Sequence, residues 1–349
     1  MKKMAILIST LKIGGAEKQS IYLLNALKDK YKVFLIVFYG DIVERKNLQL
    51  IDGHNYDFIA LNGNLLKKIN FLYKFFKSQN ITHLFTYLTK PNFYGAIIGK
   101  IAGVKNIYPS IRSTVLPQWK IALEKMASFF STAVIFNSYC GESIFQQKGF
   151  KKTIVIPNCF NYIAAPLQRN KQGTIKIITV GRFVDDKDYF TALNAMKELR
   201  KSTEYFIFQI VGYGNLENKI RNKVAALGLS QYVEIIIKPD NIPVLLNEAD
   251  IYLSTSLFEG TSNSIMEAMN ACLPIVATKV GDNNRLVSEG MNGFLSEAGD
   301  YVSIAQSLKE LINDYAQRIK FGLASHKILN ENYSFEKFQD TYLKLVNKS

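Results

Sequence analysis

Residues 249–276 read ADIYLSTSLFEGTSNSIMEAMNACLPIV, and they decide the fold. Ile251–Leu253 is a short β-rich run, and a turn of Ser, Gly, Thr and Asn follows it. Ser264 to Ala271 is helix-forming, and Pro274–Ala277 is a second buried apolar run. Strand, turn, helix and strand in this order make a βαβ unit, hence an α/β protein with parallel strands. The turn carries Glu259 and Gly260, and Glu267 lies eight residues after Glu259, inside the helix. At the helix N-terminus the backbone N–H groups of Thr261, Ser262 and Asn263 and the helix dipole suit an anion such as a diphosphate. At the mouth of the turn, the Glu259 carboxylate is shaped to accept hydrogen bonds from sugar hydroxyls.

The setting FEGTSNSIMEAM, residues 258–269, resembles the Glu-x7-Glu signature of the family-four retaining glycosyltransferases. The resemblance implies the GT-B architecture, two Rossmann-like doubly wound domains facing across a cleft. It also implies that Glu259 meets the donor sugar and Glu267 the ribose of the nucleotide. Taken alone, the pair reads as two solvated glutamates on an ordinary helix end; its place between two apolar strands and beside the motifs below favours the site. Upstream, VGRFVDDKDYFTALNA, residues 180–195, is similar to the family's G-R-x4-K element. It implies that Gly181 lines the donor site while Arg182 and Lys187 neutralise the donor diphosphate as the glycosyl–phosphate bond breaks. Cations preorganised in a dry crevice stabilise that growing charge more in the transition state than in the ground state. Relatives carry glycine after the lysine, where this chain has Asp188. Gly212-Tyr213-Gly214 is similar to the family's G-x-G step near the donor, and GGAE at 14–17 to the glycine loop that faces the donor phosphates. The resemblance therefore implies Gly14, Gly15 and Gly212 as donor-binding positions. Gly14-Gly15 read by themselves are also a tight strand-to-helix turn that uses positive φ.

Outward from these motifs the whole chain alternates strand and helix. Residues 4–8, 33–38, 58–61, 83–86, 107–110 and 133–136 are short β-rich runs with helical segments between them. Residues 175–180, 206–211 and 233–237 repeat the pattern in the second half. The expected division is a domain over 1–160, a polar linker over 161–173, a second domain over 174–332, and a last helix, 333–349, returning to the first domain. Ser110-Ile111-Arg112-Ser113 follows a strand of the first sheet, where active loops lie. Arg112 is the candidate acceptor-binding residue; donor binding and a plain surface charge are the other readings.

At 349 residues the chain is of two-domain size, and 48% hydrophobic with 21% charged residues is globular. The net charge of +14 is lopsided: residues 1–165 hold 22 Lys and Arg against 8 Asp and Glu, residues 166–349 hold 21 against 21. An anionic partner for the first half alone is implied: a nucleic acid, an anionic membrane or a phosphate-bearing substrate. The three cysteines, Cys140, Cys159 and Cys272, read as buried free thiols in a reducing compartment. Three histidines without metal spacing argue against zinc, and Lys187 inside the Asp185-Asp186-Lys187-Asp188 run opposes a divalent ion, so no metal is expected. Nothing approaches eighteen uninterrupted apolar residues. The basic helices Leu65–Ser78 and Trp119–Phe130 carry aromatics suited to an anionic bilayer surface. For the first, packing of its apolar face on the sheet is the preferred reading, and for the second both readings stay open.

These observations lead to one expectation for function. A UDP-sugar or similar nucleotide sugar donates its sugar, with retained configuration and no cofactor. The acceptor is a saccharide, polyprenyl-diphosphate-linked, as in capsule or O-antigen assembly. The expected location is cytoplasmic, peripheral on the inner face of the plasma membrane, with no nucleic-acid partner. A nucleotide-sugar epimerase of the same architecture is the second reading, and a non-catalytic nucleic-acid-binding protein the third.

Overall fold

A computed structural model describes residues 2–12, 14–44, 48–51, 55–161 and 173–348. They fall into two compact units, one of residues 1–161 with 335–349, the other of residues 162–334. The linker expected at 161–173 lies, but for its two ends, outside the described residues.

The first unit runs β1 (Lys3–Ile8), α1 (Gly15–Leu27), β2 (Lys32–Val37), β3 (Tyr56–Ala60), α2 (Leu65–Ser78), β4 (His83–Tyr87) and α3 (Thr89–Ile101). It continues with β5 (Asn106–Ile111), α4 (Gln118–Phe130), β6 (Val134–Phe136), α5 (Tyr139–Gln147) and β7 (Thr153–Val155). The sheet order is β3-β2-β1-β4-β5-β6-β7, and every pairing in it is parallel. Its central strands are near-continuous apolar runs because helices cover both faces of a parallel sheet. Accordingly Met4, Ile6 and Ile8 pack into the layer under α1, while Ala5 and Leu7 pack into the layer under α2 and α3.

The second unit runs β8 (Ile175–Arg182), α6 (Tyr189–Leu199), β9 (Phe206–Tyr213), α7 (Glu217–Ala226), β10 (Val233–Ile237), α8 (Ile242–Glu248) and β11 (Ile251–Ser254). Then come α9 (Asn263–Asn270), β12 (Ile275–Thr278), α10 (Asn283–Leu286), β13 (Gly293–Ser296), α11 (Tyr301–Asn313) and α12 (Tyr315–Tyr333). Its sheet, also parallel, has the order β10-β9-β8-β11-β12-β13. Each sheet thus reverses direction once, at β1/β4 and at β8/β11. At such a switch point the loops leave on opposite faces and open a crevice at the strand C-terminal ends.

The last helix, α13 (Phe335–Lys348), belongs to the first unit. There Gln339 donates to the Ala26 carbonyl at 3.0 Å, the Lys2 ammonium donates to the Val346 carbonyl at 2.8 Å, and Phe335 meets Tyr22 edge-on at 6.3 Å.

Helix α2 buries Leu72 and Phe76 together with Lys68, whose ammonium donates to the Phe38 carbonyl at 2.7 Å. One of its lysines therefore serves the core, while Leu65, Leu66 and Phe71 of the same helix are exposed. Helix α4 likewise exposes Trp119, Met126, Phe129 and Phe130, and Val115 before it is exposed too. The cysteine expectation needs one correction. Cys159 and Cys272 are buried, but Cys140 is only half-buried, because it sits in the first turn of α5, where one helix face meets solvent.

Candidate active site

The second unit's switch point brings the loop after β8 against the loop after β11, since those strands pair directly. Beyond Arg182 the chain forms a single 3-10 turn, Asp185–Lys187, and leaves it through Asp188 at φ 43°, ψ 55°. That left-handed conformation explains why a glycine suits this place. Aspartate is among the few other residues that adopt it. It also caps α6, accepting from the Thr191 amide at 3.2 Å and the Thr191 hydroxyl at 2.6 Å. Asp188→Ala loses the cap and keeps the strain, a cost of about 1–2 kcal/mol, whereas Asp188→Gly exchanges one for the other and stays near neutral. Thermal unfolding of the two variants followed by circular dichroism checks this ordering.

Three contacts sew the two loops together. The Thr255 hydroxyl donates to the carbonyls of Lys187 (3.0 Å) and Asp188 (2.9 Å). The Leu257 amide donates to the Asp186 carbonyl at 2.8 Å. Lys187 then closes an ion pair with Glu259, whose side chain is only 11% exposed. The Ser256 hydroxyl donates to the same Glu259 oxygen, Oε1, at 2.8 Å. A third loop, after β12, lies under this pair: the Thr278 hydroxyl donates to the Ser256 carbonyl at 2.6 Å. Gly281, at φ +55°, approaches so closely that a Cβ there would stand 2.1 Å from the Glu259 carbonyl oxygen.

Two of the three residues expected to act on the donor, Lys187 and Glu259, are therefore in contact. The third, Arg182, is exposed at the end of β8 in register with Tyr213 of β9. Gly181 lies against the side chains of Lys187 and Tyr189, and Gly212 is pressed against the Gly181 carbonyl of the neighbouring strand. Helix α9 begins at Asn263, one residue before the expected start, and its N-cap Ser262 makes no side-chain cap. Thr261 and Ser262 are buried beside that N-terminus, Gly260 precedes them in the turn, and Glu267 is half-buried on the helix. Burial pushes the phenols of Tyr189 and Tyr252 well above their ordinary range, with the Glu259 charge adding to both shifts. Both rings are walls and hold their protons.

The remaining expected residues belong to the first unit. Gly14 is the N-cap of α1 with φ −168°, and neither Gly14 nor Gly15 has positive φ, contrary to the expectation for that turn. A Cβ at 14 would stand 2.4 Å from the Glu17 carboxylate, the far end of a flexible side chain that can move aside. Arg112 leaves β5, stacks over the Tyr87 ring at 4.8 Å and donates through Nη1 to Asn158 Oδ1 at 2.8 Å. Its Nε and Nη2 are buried without a hydrogen-bond partner. Among the described residues no group of three or more His, Cys, Asp or Glu is arranged to hold a metal ion. The sequence reading missed Thr255, Ser256 and Thr278. Their signal was small hydroxyl residues at or just past strand ends, which by itself also reads as turn chemistry.

Two parallel, doubly wound units, each with a crevice at its switch point, are the GT-B fold. HepE of Anabaena, crystallised with UDP, superposes with a TM-score of 0.86 over 100% of both chains at 20% identity, a likeness of fold. Residues 166–327, within the second unit, match the model of the glycosyl transferases group 1. Two bacterial relatives illustrate the likeness. The amylovoran biosynthesis glycosyltransferase AmsK of Erwinia amylovora is 30% identical over 159 residues, 43% of this chain and 39% of that protein. The UDP-Gal:alpha-D-GlcNAc-diphosphoundecaprenol alpha-1,3-galactosyltransferase of Escherichia coli is 23% identical over 312 residues, 80% of each chain. The chain thus spans about two fifths of the first relative and four fifths of the second.

Proposed function

We propose that this protein is a retaining, metal-independent glycosyltransferase of bacterial surface-polysaccharide assembly. It moves a sugar from a nucleotide sugar, a UDP-sugar, to a saccharide carried on a polyprenyl diphosphate. The observation that carries the reading is the Lys187–Glu259 pair at the β8/β11 switch point, beside the exposed Arg182. In this reading Glu259 accepts hydrogen bonds from the donor sugar. Arg182 and Lys187 take up the charge of the departing diphosphate, and the N-terminus of α9 adds its dipole. Glu267 meets the ribose. Gly181, Gly212, Gly260, Thr261, Ser262 and Asn263 line the donor, Gly14 and Gly15 approach its phosphates, and Arg112 serves the acceptor. Among the described residues of this site no side chain offers itself as a nucleophile, which suits a front-face route in which the leaving phosphate oxygen takes the acceptor's proton.

The E. coli relative is named for a UDP-sugar and a diphosphoundecaprenol-linked acceptor, and HepE is crystallised with UDP; both support this choice of substrates. No helix among the described residues is long and apolar enough to cross a membrane. The basic first half and the exposed apolar face of α4 support a cytoplasmic protein resting on the anionic inner leaflet. The test incubates the protein with labelled UDP-glucose, UDP-galactose or UDP-N-acetylglucosamine and an undecaprenyl-diphosphate-linked sugar, with EDTA present. Lipid-linked disaccharide with the donor's anomeric configuration is expected, and no transfer from any donor overturns the reading. Sedimentation with phosphatidylglycerol vesicles, and not with phosphatidylcholine vesicles, is expected alongside.

A further inference from the structure

The carboxylate of Glu259 is used unevenly. Oε1 receives both the Lys187 ammonium and the Ser256 hydroxyl, while Oε2 has no hydrogen-bond partner among the described residues. Ser256 is itself 1% exposed, and its own carbonyl is tied down by the Thr278 hydroxyl. On this clamped backbone the buried Ser256 hydroxyl has its nearer partner in Glu259 Oε1, at 2.8 Å against 3.4 Å to the Ser254 hydroxyl. It therefore fixes the rotamer of Glu259 rather than following it. Lys187 cannot do this throughout a reaction, because the departing diphosphate competes for the same ammonium.

We propose that Ser256 is the positioning residue of the donor site. It holds Glu259 by Oε1 so that Oε2 is presented to a hydroxyl of the donor sugar, and it keeps that placement when Lys187 turns to the phosphates. This inference rests on the reading of Glu259 as the group that meets the sugar. The neighbouring Thr255 has a different task, since its hydroxyl grips the Lys187 and Asp188 carbonyls and sets the distance between the loops. The Ser256 hydroxyl meets the carboxylate and the Ser254 hydroxyl, which stands 3.4 Å away.

The experiment compares the native protein, Ser256→Ala and Ser256→Thr. Calorimetric titrations with UDP and with UDP-glucose and UDP-galactose accompany transfer rates. The native protein is expected to bind one UDP-sugar more tightly than UDP. Ser256→Ala should bind UDP within about twofold of native, lose the preference for the sugar, raise KM for the donor and turn over about 10²-fold more slowly. Ser256→Thr, which keeps the hydroxyl, should recover most of the lost rate. A Ser256→Ala protein that keeps both the preference and the rate overturns the proposal. So does one that loses UDP affinity in step with the sugar, which would make Ser256 a support of the whole loop. A native protein that binds neither sugar nucleotide better than UDP removes the reading of Glu259 itself, and the positioning role with it.

Discussion

Lys187→Ala is expected to slow sugar transfer by about 10²–10³-fold, the usual loss when one preorganised charge at a developing anion is removed. Glu259→Ala should lose a similar factor. The two effects should not multiply, because the residues form one ion pair in the resting site. Each single variant strands a partly buried partner: an ammonium 23% exposed when the glutamate goes, a carboxylate 11% exposed when the lysine goes. The double variant removes both and should lie close to the worse single one. Initial rates of the four proteins, with circular dichroism to show that each is folded, decide the matter. Full activity in either single variant would sink the site assignment, and losses that multiply would show that the pair does not act as a unit.

The second large effect is on stability and falls in the first unit. Glu124, on α4, is 2% exposed and accepts from Asn92 Nδ2 at 2.9 Å. Asn92 in turn accepts from the Thr86 hydroxyl and donates to the Ser110 carbonyl, so α3, α4, β4 and β5 meet at one buried amide. Burial pushes the Glu124 carboxyl up from 4.5 to about 7, against the smaller opposing pull of the Asn92 and Thr89 hydrogen bonds and of Lys120. Above pH 4.5 the unfolded chain gives up this proton while the folded unit keeps it. Stability therefore falls as pH rises from 4.5 to 7 and levels off beyond, a loss of roughly 3 kcal/mol from this one group. Glu124→Gln retains an acceptor for Asn92 and carries no charge. It should flatten the profile and make the unit more stable than native at pH 8 by up to roughly that amount. The only tryptophan, Trp119, lies on the same helix and reports the transition by fluorescence during urea unfolding at several pH values. An unchanged slope between pH 5 and 7 in the variant would exclude Glu124 as its source.

Much of the fold was legible beforehand. Apolar runs such as Met4–Ile8 and Phe206–Val211 announce strands buried on both faces, and the glycine and hydroxyl residues that follow them mark the ends where loops gather. Misses at the ends of elements follow tertiary packing. Strands β8 and β9 run on through Gly181-Arg182 and Gly212-Tyr213 because they pair with each other to the last residue. The positive φ expected at Gly14 was a local inference from glycine pairs, and the extended entry into α1 overrode it.

The amino-acid order by itself determined two parallel sheets, the places where their loops collect, and the kinds of side chain in those loops. Those follow from periodicity, turn chemistry and the concentration of Lys and Arg in the first half. What only the tertiary structure decided is which of those side chains meet. Lys187 and Glu259 are 72 positions apart, and Arg112 and Asn158 are 46 apart. Strand order brings the first pair together: β11 crosses back to lie beside β8, and the loops leaving neighbouring strand ends cannot avoid contact. Spacing along a chain carries no record of that crossing. Ser256 and Gly281 therefore looked like ordinary turn residues until the sheet placed one against the Glu259 carboxylate and the other against its backbone.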